Sequence, residues 1–343
     1  MDVILHFADE FALDKVYAKV LPLAAFINTH ASNPSTSPLV ALLATPSWSS
    51  ILQSMPHPSL PFAIPSGSGA DANFSVAATT KFALSAWPRD YLPRQIVSLT
   101  VLTVVGIHLL YFTFATLSYY YIFNHEVMKH PKFLKNQVRL EIKTSLMTFP
   151  TIAILTLPWF IAEVRGGSRL YDSVEEYGWT YFLLSVPFYL LFTDYVIYWI
   201  HRGLHHPILY RHCHKVHHKI LIPTPFASHA FHPIDGYLNS IPYHLFIFLF
   251  PLQRYLYLGV FVFVNVWTII IHDSDMISDH ALGDVINGPS HHTLHHLYFT
   301  CNYGQYFTWV DRISGSYKAP RPELDPLLEV QALEAKRSSR KSE

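Results

Sequence analysis

Between residues 201 and 218 the chain reads HRGLHHPILYRHCHKVHH, seven imidazoles in eighteen residues. A second cluster, His291, His292, His295 and His296, follows further along. Imidazole is the common side-chain ligand of first-row metals. His201 and His205 stand at i and i+4, which sets both side chains on one helical face about one turn apart. His214, His217 and His218 form an H-x-x-H-H pattern that His292, His295 and His296 repeat. In each triplet the i and i+3 residues are expected to share a face while the adjacent histidine points roughly 100° away, so that one helix reaches two metals. A single site takes three or four protein ligands, and eight imidazoles therefore imply a binuclear centre.

Such a centre needs elements that bring distant segments to one place, and the composition says what kind. Half of the 343 residues are hydrophobic and 14% are charged, against roughly 25% in soluble domains. That balance points to a membrane protein. A net charge of zero gives no basic field for nucleic acid, and that class of partner is set aside. The two cysteines, Cys213 and Cys301, supply neither a disulfide framework nor a Cys-x-x-Cys site, and Cys213 reads as a small filler among the histidines.

The N-terminus, MDVILHFADEFALDK, is acidic where a signal peptide is basic, so no cleaved leader is expected. Residues 16–27, interrupted by Lys19 and Pro22, read as an interfacial helix, and residues 33–90 as a surface-lying Pro- and Ser-rich region. This region carries a glycosylation sequon at Asn73. Residues 96–123 contain no Asp, Glu, Lys or Arg and are long enough to cross a bilayer. Residues 144–162 and 180–200 are the next two spans, with Pro150 and Pro158 tolerable where neighbouring helices satisfy the freed carbonyls. The loop 124–143 is basic and the loop 163–179 acidic, which puts the first in the cytoplasm and the second on the lumenal side. The third span then delivers His201 to the cytoplasmic face. Residues 238–252 and 255–271 form a hairpin that dips into or barely crosses the bilayer and returns His272 to the same face. The expected fold is all-α and membrane-integral, with about four transmembrane or hairpin helices under a cytoplasmic histidine cap. Its parts are an N-terminal region (1–95), a catalytic domain (96–322) and a polar cytoplasmic tail (323–343). The tail ends Arg340-Lys341-Ser342-Glu343, a dilysine-like arrangement of endoplasmic reticulum proteins.

The order HRGLH, HKVHH, HTLHH resembles the three histidine boxes of the membrane-bound fatty acid hydroxylase and sterol desaturase superfamily. The stretches PTPFASHAFHPIDG, IHDSD, NYGQYFTWVDRISGSY and MKHPKFLKNQVRLEI are similar to its sterol C-5 desaturases. The resemblance implies two iron ions that activate O2 with electrons from NAD(P)H through cytochrome b5 and its reductase. It also implies a sterol substrate drawn from membrane lipid, whose C5 and C6 each lose a hydrogen. It carries ligand roles to His201, His205, His214, His217, His218, His292, His295 and His296, with His272 as a further ligand. His229 and His232 are additional candidates, of which His232 is preferred.

His206 and His291 read as solvated or supporting histidines, His212 and His280 have no assigned role, and His108 and His244 read as satisfied histidines of the apolar spans. Asp194 is an ionisable residue inside a span and hence a functional candidate. It lies too far along the helix to reach His201 and is expected to bond an imidazole from another box. Two rival readings remain at this point: a sterol C-4 methyl oxidase or fatty acid hydroxylase with similar boxes, and a zinc-handling transporter. A transporter places its ligands near the bilayer midplane, whereas these clusters lie outside the spans.

Overall fold

The computed structural model describes residues 1–22, 85–276 and 281–342. The sequon at Asn73, the region 33–84 and His280 lie outside them. The chain divides into two compact units, Met1–Leu99 and Thr100–Glu343. In the first, α1 (Asp2–Ala8) runs through a π-helical turn (Asp9–Leu13) into α2 (Asp14–Val20); residues 23–27 of the stretch expected to be an interfacial helix lie outside the described residues. Tyr17 and Leu21 pack on Ala86 and Trp87. The buried guanidinium of Arg94 is neutralised by Asp9 and Asp14.

The long helices are α3 (Leu92–Tyr121), α4 (Gln137–Val164) and α5 (Gly178–Leu204), each long and apolar enough to cross a membrane. Large apolar side chains such as Leu109, Met147, Ile154 and Leu183 stand exposed along them, as a hydrocarbon environment requires and water disfavours. Pro150, Pro158 and Pro187 lie inside these helices. Compared with the expected span, α4 begins seven residues earlier and takes in Arg139, Glu141 and Lys143. The polar N-terminal turns of α4 are stabilised by tertiary bonds: Glu141 is fully buried and accepts from Gln137 Nε2 (2.8 Å) and from Thr224.

The expected hairpin is α6 (Pro233–Leu249) and α7 (Arg254–Ile270), seventeen residues each. Its tip carries β2 (Leu252–Gln253), which pairs in parallel with β1 (Leu170–Tyr171) in the α4–α5 loop. Arg254 also binds Asp172 of that loop. The hairpin therefore reaches the end of the bundle occupied by the α4–α5 loop, and both α5 and α7 bring their C-termini to the other end. The core between them is aromatic and aliphatic: Tyr189, Phe246, Leu252, Tyr257 and Val264. The remaining elements are α8 (Pro289–Tyr298), α9 (Trp309–Ile313) and α10 (Pro326–Ser342). The last packs back on the 125–130 turn, with Glu329 on His130 at 3.0 Å and Glu334 on Lys129 at 3.2 Å.

Candidate metal centre

Helix α5 continues past the expected span end and carries His201 in its last turn, with His205 at its C-cap. The chain then turns at Pro207 into a π-helical turn (Tyr210–His214) and a 3-10 turn (His217–Lys219). His272 follows α7 directly, and His292, His295 and His296 lie on α8. These segments converge so that His201, His205, His214, His218 and His295 form one group and His217, His272, His292 and His296 a second. Within each group the candidate ligand atoms lie within 4.8 Å of one another.

The Nε2 atoms approach closely. His295 lies 3.0 Å from His218 and 3.3 Å from His205. In the second group His292 lies 2.9 Å from His272 and 3.1 Å from His296, and His217 is 3.4 Å from His272. Bonds of about 2.1 Å to a shared ion give ligand–ligand edges of roughly 3.0 Å in an octahedron and roughly 3.4 Å in a tetrahedron. The observed spacings match. His214 Nε2 is buried with no hydrogen-bond partner among the described residues, a costly arrangement that a bound ion would relieve.

The sharing of faces differs from the expectation. His214 joins His218, and His292 joins His296, while His217 and His295 each cross to the opposite group. On α8, an α-helix, four residues carry the chain slightly past one full turn whereas three fall short of it by a wider angle, which aligns His292 with His296. The 210–219 segment changes from a π-helical to a 3-10 turn, so the path of the chain and not α-helical phase pairs His214 with His218, and each triplet still serves both groups.

Five of the nine imidazoles bond a protein oxygen through Nδ1. His201 meets Tyr303 O (3.0 Å), His214 meets Asp235 Oδ2 (2.7 Å) and His272 meets Thr268 O (2.6 Å). His295 meets Cys301 O (2.7 Å) and His296 meets Ile220 O (2.8 Å). An Nδ1–H held by an oxygen leaves the Nε2 lone pair for a metal. Burial also holds the rings neutral. It lowers His214 and His217 to about 3 and depresses His205, His218, His272, His292, His295 and His296, with neighbouring imidazoles adding to the effect for most of them.

Two expectations are corrected. Asp194 bonds no imidazole among the described residues. Its Oδ1 accepts the backbone N–H groups of Gln305 (2.9 Å), Tyr306 (2.7 Å) and Phe307 (3.3 Å), and its Oδ2 accepts Trp309 Nε1 (3.1 Å). Asp311 holds the preceding N–H groups of Tyr303 and Gly304. The two carboxylates thus pin the loop whose Tyr303 carbonyl orients His201, because a buried turn must find acceptors for its N–H groups. A Cβ on Gly304 would come within 2.5 Å of Phe307 O, so the tight turn needs glycine. His232 belongs to neither group: its Nδ1 accepts the N–H of Ile234 as the N-cap of α6. The requirement of a helix N-terminus for an acceptor claims that ring.

The carboxylate that does bond a clustered imidazole is Asp235, on His214, which the sequence reading passed over. Burial raises it to about 6. Its signal was an acid in the first turn of a Pro-initiated helix within HPIDG. His229 is buried outside both groups, ring to ring with Tyr111 and Phe149. His291 is buried beside Tyr317, while His206 and His212 are exposed. Cys213 is half-buried and in neither group. In the spans, His108 bonds Val104 O and His244 stacks on Trp159.

Residues 186–316 match the fatty acid hydroxylase family. The chain is 44% identical over 330 residues to Delta(7)-sterol 5(6)-desaturase ERG3B of Gibberella zeae, covering 96% of this chain and 93% of that protein. It is 52% identical over 263 residues to Delta(7)-sterol 5(6)-desaturase erg3C of Aspergillus fumigatus, covering 71% and 82%. It is 55% identical over 238 residues to the lathosterol oxidase of Rattus norvegicus, covering 69% and 80%. No solved structure matches. With these relatives and this histidine centre, the chain belongs to the fatty acid hydroxylase family and groups within it with the Delta(7)-sterol 5(6)-desaturases and lathosterol oxidases.

Proposed function

We propose that the protein is an oxidoreductase that introduces the C5–C6 double bond into a Δ7-sterol, using two iron ions held by the nine clustered histidines. The convergence of those imidazoles into two adjacent groups at one end of an apolar helical bundle carries the reading. Relatives named as Delta(7)-sterol 5(6)-desaturases support the substrate and the outcome. The iron pair, when bound, supplies O2 activation at an unactivated C–H bond. The electron count fixes what else is needed: reducing O2 to two waters takes four electrons, and the two C–H bonds supply two. The other two come from an external donor, read here as NAD(P)H through cytochrome b5 and its reductase.

The protein's own residues hold and shield this chemistry. His201, His205, His214, His218 and His295 would hold one ion, and His217, His272, His292 and His296 the other. Oxygens that bond Nδ1 keep five of the nine rings in register, and burial keeps water from a strong oxidant. The site faces the cytoplasm in this reading, in the endoplasmic reticulum membrane, supported by the basic 124–143 loop and the acidic 163–179 loop.

The deciding experiment expresses the full chain in a yeast strain lacking its C-5 desaturase and profiles sterols by mass spectrometry. Appearance of Δ5,7-sterols is the expected result. Full-length protein in the membrane with only Δ7-sterols accumulating would refute the assignment. Conversion of C-4 methyl sterols or of fatty acids instead would move the protein to another branch of the family.

A further inference from the structure

Ring contacts lead out of the metal centre along one line. The Tyr303 ring lies against three imidazoles of the first group, with centroids 5.6 Å from His201, 5.1 Å from His205 and 5.4 Å from His295. Tyr303 stands 6.0 Å from Tyr198, and Tyr198 stands 5.2 Å from Trp199. Tyr198 is fully buried, whereas Trp199 is 48% exposed. After the thiols, tyrosine and tryptophan are the side chains that give up one electron most readily, and rings this close exchange electrons by tunnelling.

Neighbouring rings are common in an aromatic-rich bundle, and what singles out this line is where the Tyr198 proton can go. Loss of an electron makes a phenol strongly acidic, so a tyrosine holds the resulting radical only beside a proton acceptor. Tyr303 donates its hydroxyl to the carbonyl of Phe299 (3.1 Å), which cannot keep a proton. Tyr198 is placed differently. Ser316 donates its one hydrogen to Asp311 Oδ1 (2.8 Å), and Arg202 Nη1 donates to the Tyr198 oxygen (2.8 Å). The 2.7 Å bond between Tyr198 and Ser316 must then be donated by the tyrosine. Its proton thus has a path through Ser316 to a carboxylate. Burial pushes Asp311 up from the ordinary carboxylate value, which suits it to accept.

Resting on the oxygen-activating reading of the centre, we propose that Tyr303, Tyr198 and Trp199 form an outlet that drains oxidising equivalents not spent on a C–H bond. An electron from Tyr198 passes through the Tyr303 ring to the centre, while the phenolic proton moves to Ser316 and the serine's own proton to Asp311. Trp199 then returns an electron to Tyr198, the protons retrace their path, and a cytoplasmic thiol refills Trp199. The count closes without a sterol. O2 takes two electrons from the donor, two from two thiols, and four protons, two of them the thiols' own, giving two waters and one disulfide. The outlet spares the ligating imidazoles from oxidation when no substrate is bound.

The test takes full-length, iron-loaded protein, reduces it, exposes it to O2 without sterol and freezes it rapidly for electron paramagnetic resonance. A neutral tyrosyl signal is expected, changed in shape by ring-deuterated tyrosine and slower to form in D2O. Tyr198→Phe should remove it and raise histidine oxidation among the ligands several-fold, read by peptide mass spectrometry. Trp199→Phe, at an exposed position, should lengthen the life of the signal several-fold. Should Tyr198→Phe fail to fold, the wild-type and Trp199→Phe spectra decide. No tyrosyl signal in the wild type, or one that survives in Tyr198→Phe, would overturn the proposal. An unchanged lifetime in Trp199→Phe would overturn the exit at that ring. A tyrosyl signal in protein that converts no Δ7-sterol would refute the desaturase reading and leave the outlet standing, and conversion without the signal would do the reverse.

Discussion

His214 and Asp235 are joined by a 2.7 Å hydrogen bond from imidazole Nδ1 to carboxylate Oδ2, with both side chains almost sealed from solvent. Asn239 Nδ2 donates to the other carboxylate oxygen at 2.9 Å, so the carboxylate itself is fixed. Among the described residues this is the one carboxylate that bonds a clustered imidazole through its far nitrogen, and it sits on α6, an element that supplies no ligand of its own.

Asp235→Asn should therefore reduce metal affinity or desaturation about 10- to 100-fold, the usual range for partners of ligating histidines. The amide can offer its NH2 group to Nδ1 and so favour the wrong tautomer. Metal content of the purified protein, measured with the ratio of Δ7- to Δ5,7-sterols in the complemented strain, reads both effects. Unaltered values for both would mean that His214 is oriented by its surroundings alone.

The two groups predict two metal ions per chain, with iron in the active form. His217→Ala and His295→Ala each remove a ligand from a different group, and each should abolish desaturation while the protein remains in the membrane. His232→Ala removes only a helix cap, which costs about 0.5–2 kcal/mol of stability, and should keep both ions and most activity. Elemental analysis with immunoblot normalisation separates these outcomes. Loss of an ion from the His232 variant would place that residue among the ligands after all.

Asp194 works at a distance, through the loop 303–309. Asp194→Ala leaves buried N–H groups at Gln305, Tyr306 and Phe307 without an acceptor, at about 1–3 kcal/mol each, and should release the Tyr303 carbonyl from His201. Near-complete loss of metal and activity is expected. Asp194→Asn keeps an oxygen for those three donors and loses the Trp309 contact, so it should fall between wild type and alanine. Equal activity in the two variants would show that the loop holds itself.

Much of this was legible in the sequence because it depends on local periodicity. Uncharged runs marked the three long apolar helices, and the repeated H-x-x-H-H spacing marked the histidines that the fold gathers into two groups. The roles of Asp194 and Glu141 were not legible, because each bonds a segment far along the chain. Asp194 lies on α5 and its partners near residue 305; Glu141 lies on α4 and its partner is Thr224. An isolated acid in an apolar run signals that some donor must meet it, and the sequence alone does not say which. The division of the His292, His295 and His296 triplet turned on the small difference in helical phase between i+3 and i+4, and that of His214, His217 and His218 on a local change from a π-helical to a 3-10 turn that spacing does not reveal.

The clustered histidines also fix the sign of the pH dependence. Burial lowers His214 and His217 to about 3 from an ordinary value near 6.5, and the other clustered imidazoles outside the spans shift the same way. Between those values the unfolded chain binds protons that the folded chain excludes, so stability must fall as pH drops below about 6.5. Asp235 opposes this. Its folded value is raised to about 6, so between the ordinary carboxylate value and 6 the folded state holds the extra proton and gains stability on acidification. Asp273, which burial raises to about 7, and Asp311, which burial also raises, oppose the fall likewise; these three carboxyls are set against seven clustered imidazoles, and the histidines dominate. Protein stripped with a chelator should show a melting temperature that is flat from pH 8 to about 7 and falls steadily from 6.5 towards 5. Metal-loaded protein should release its ions over the same range, since protons compete for the same nitrogens. A metal-free protein that becomes more stable on acidification through this range would mean that the imidazoles are charged in the folded state, and the two groups could not then serve as metal sites at neutral pH.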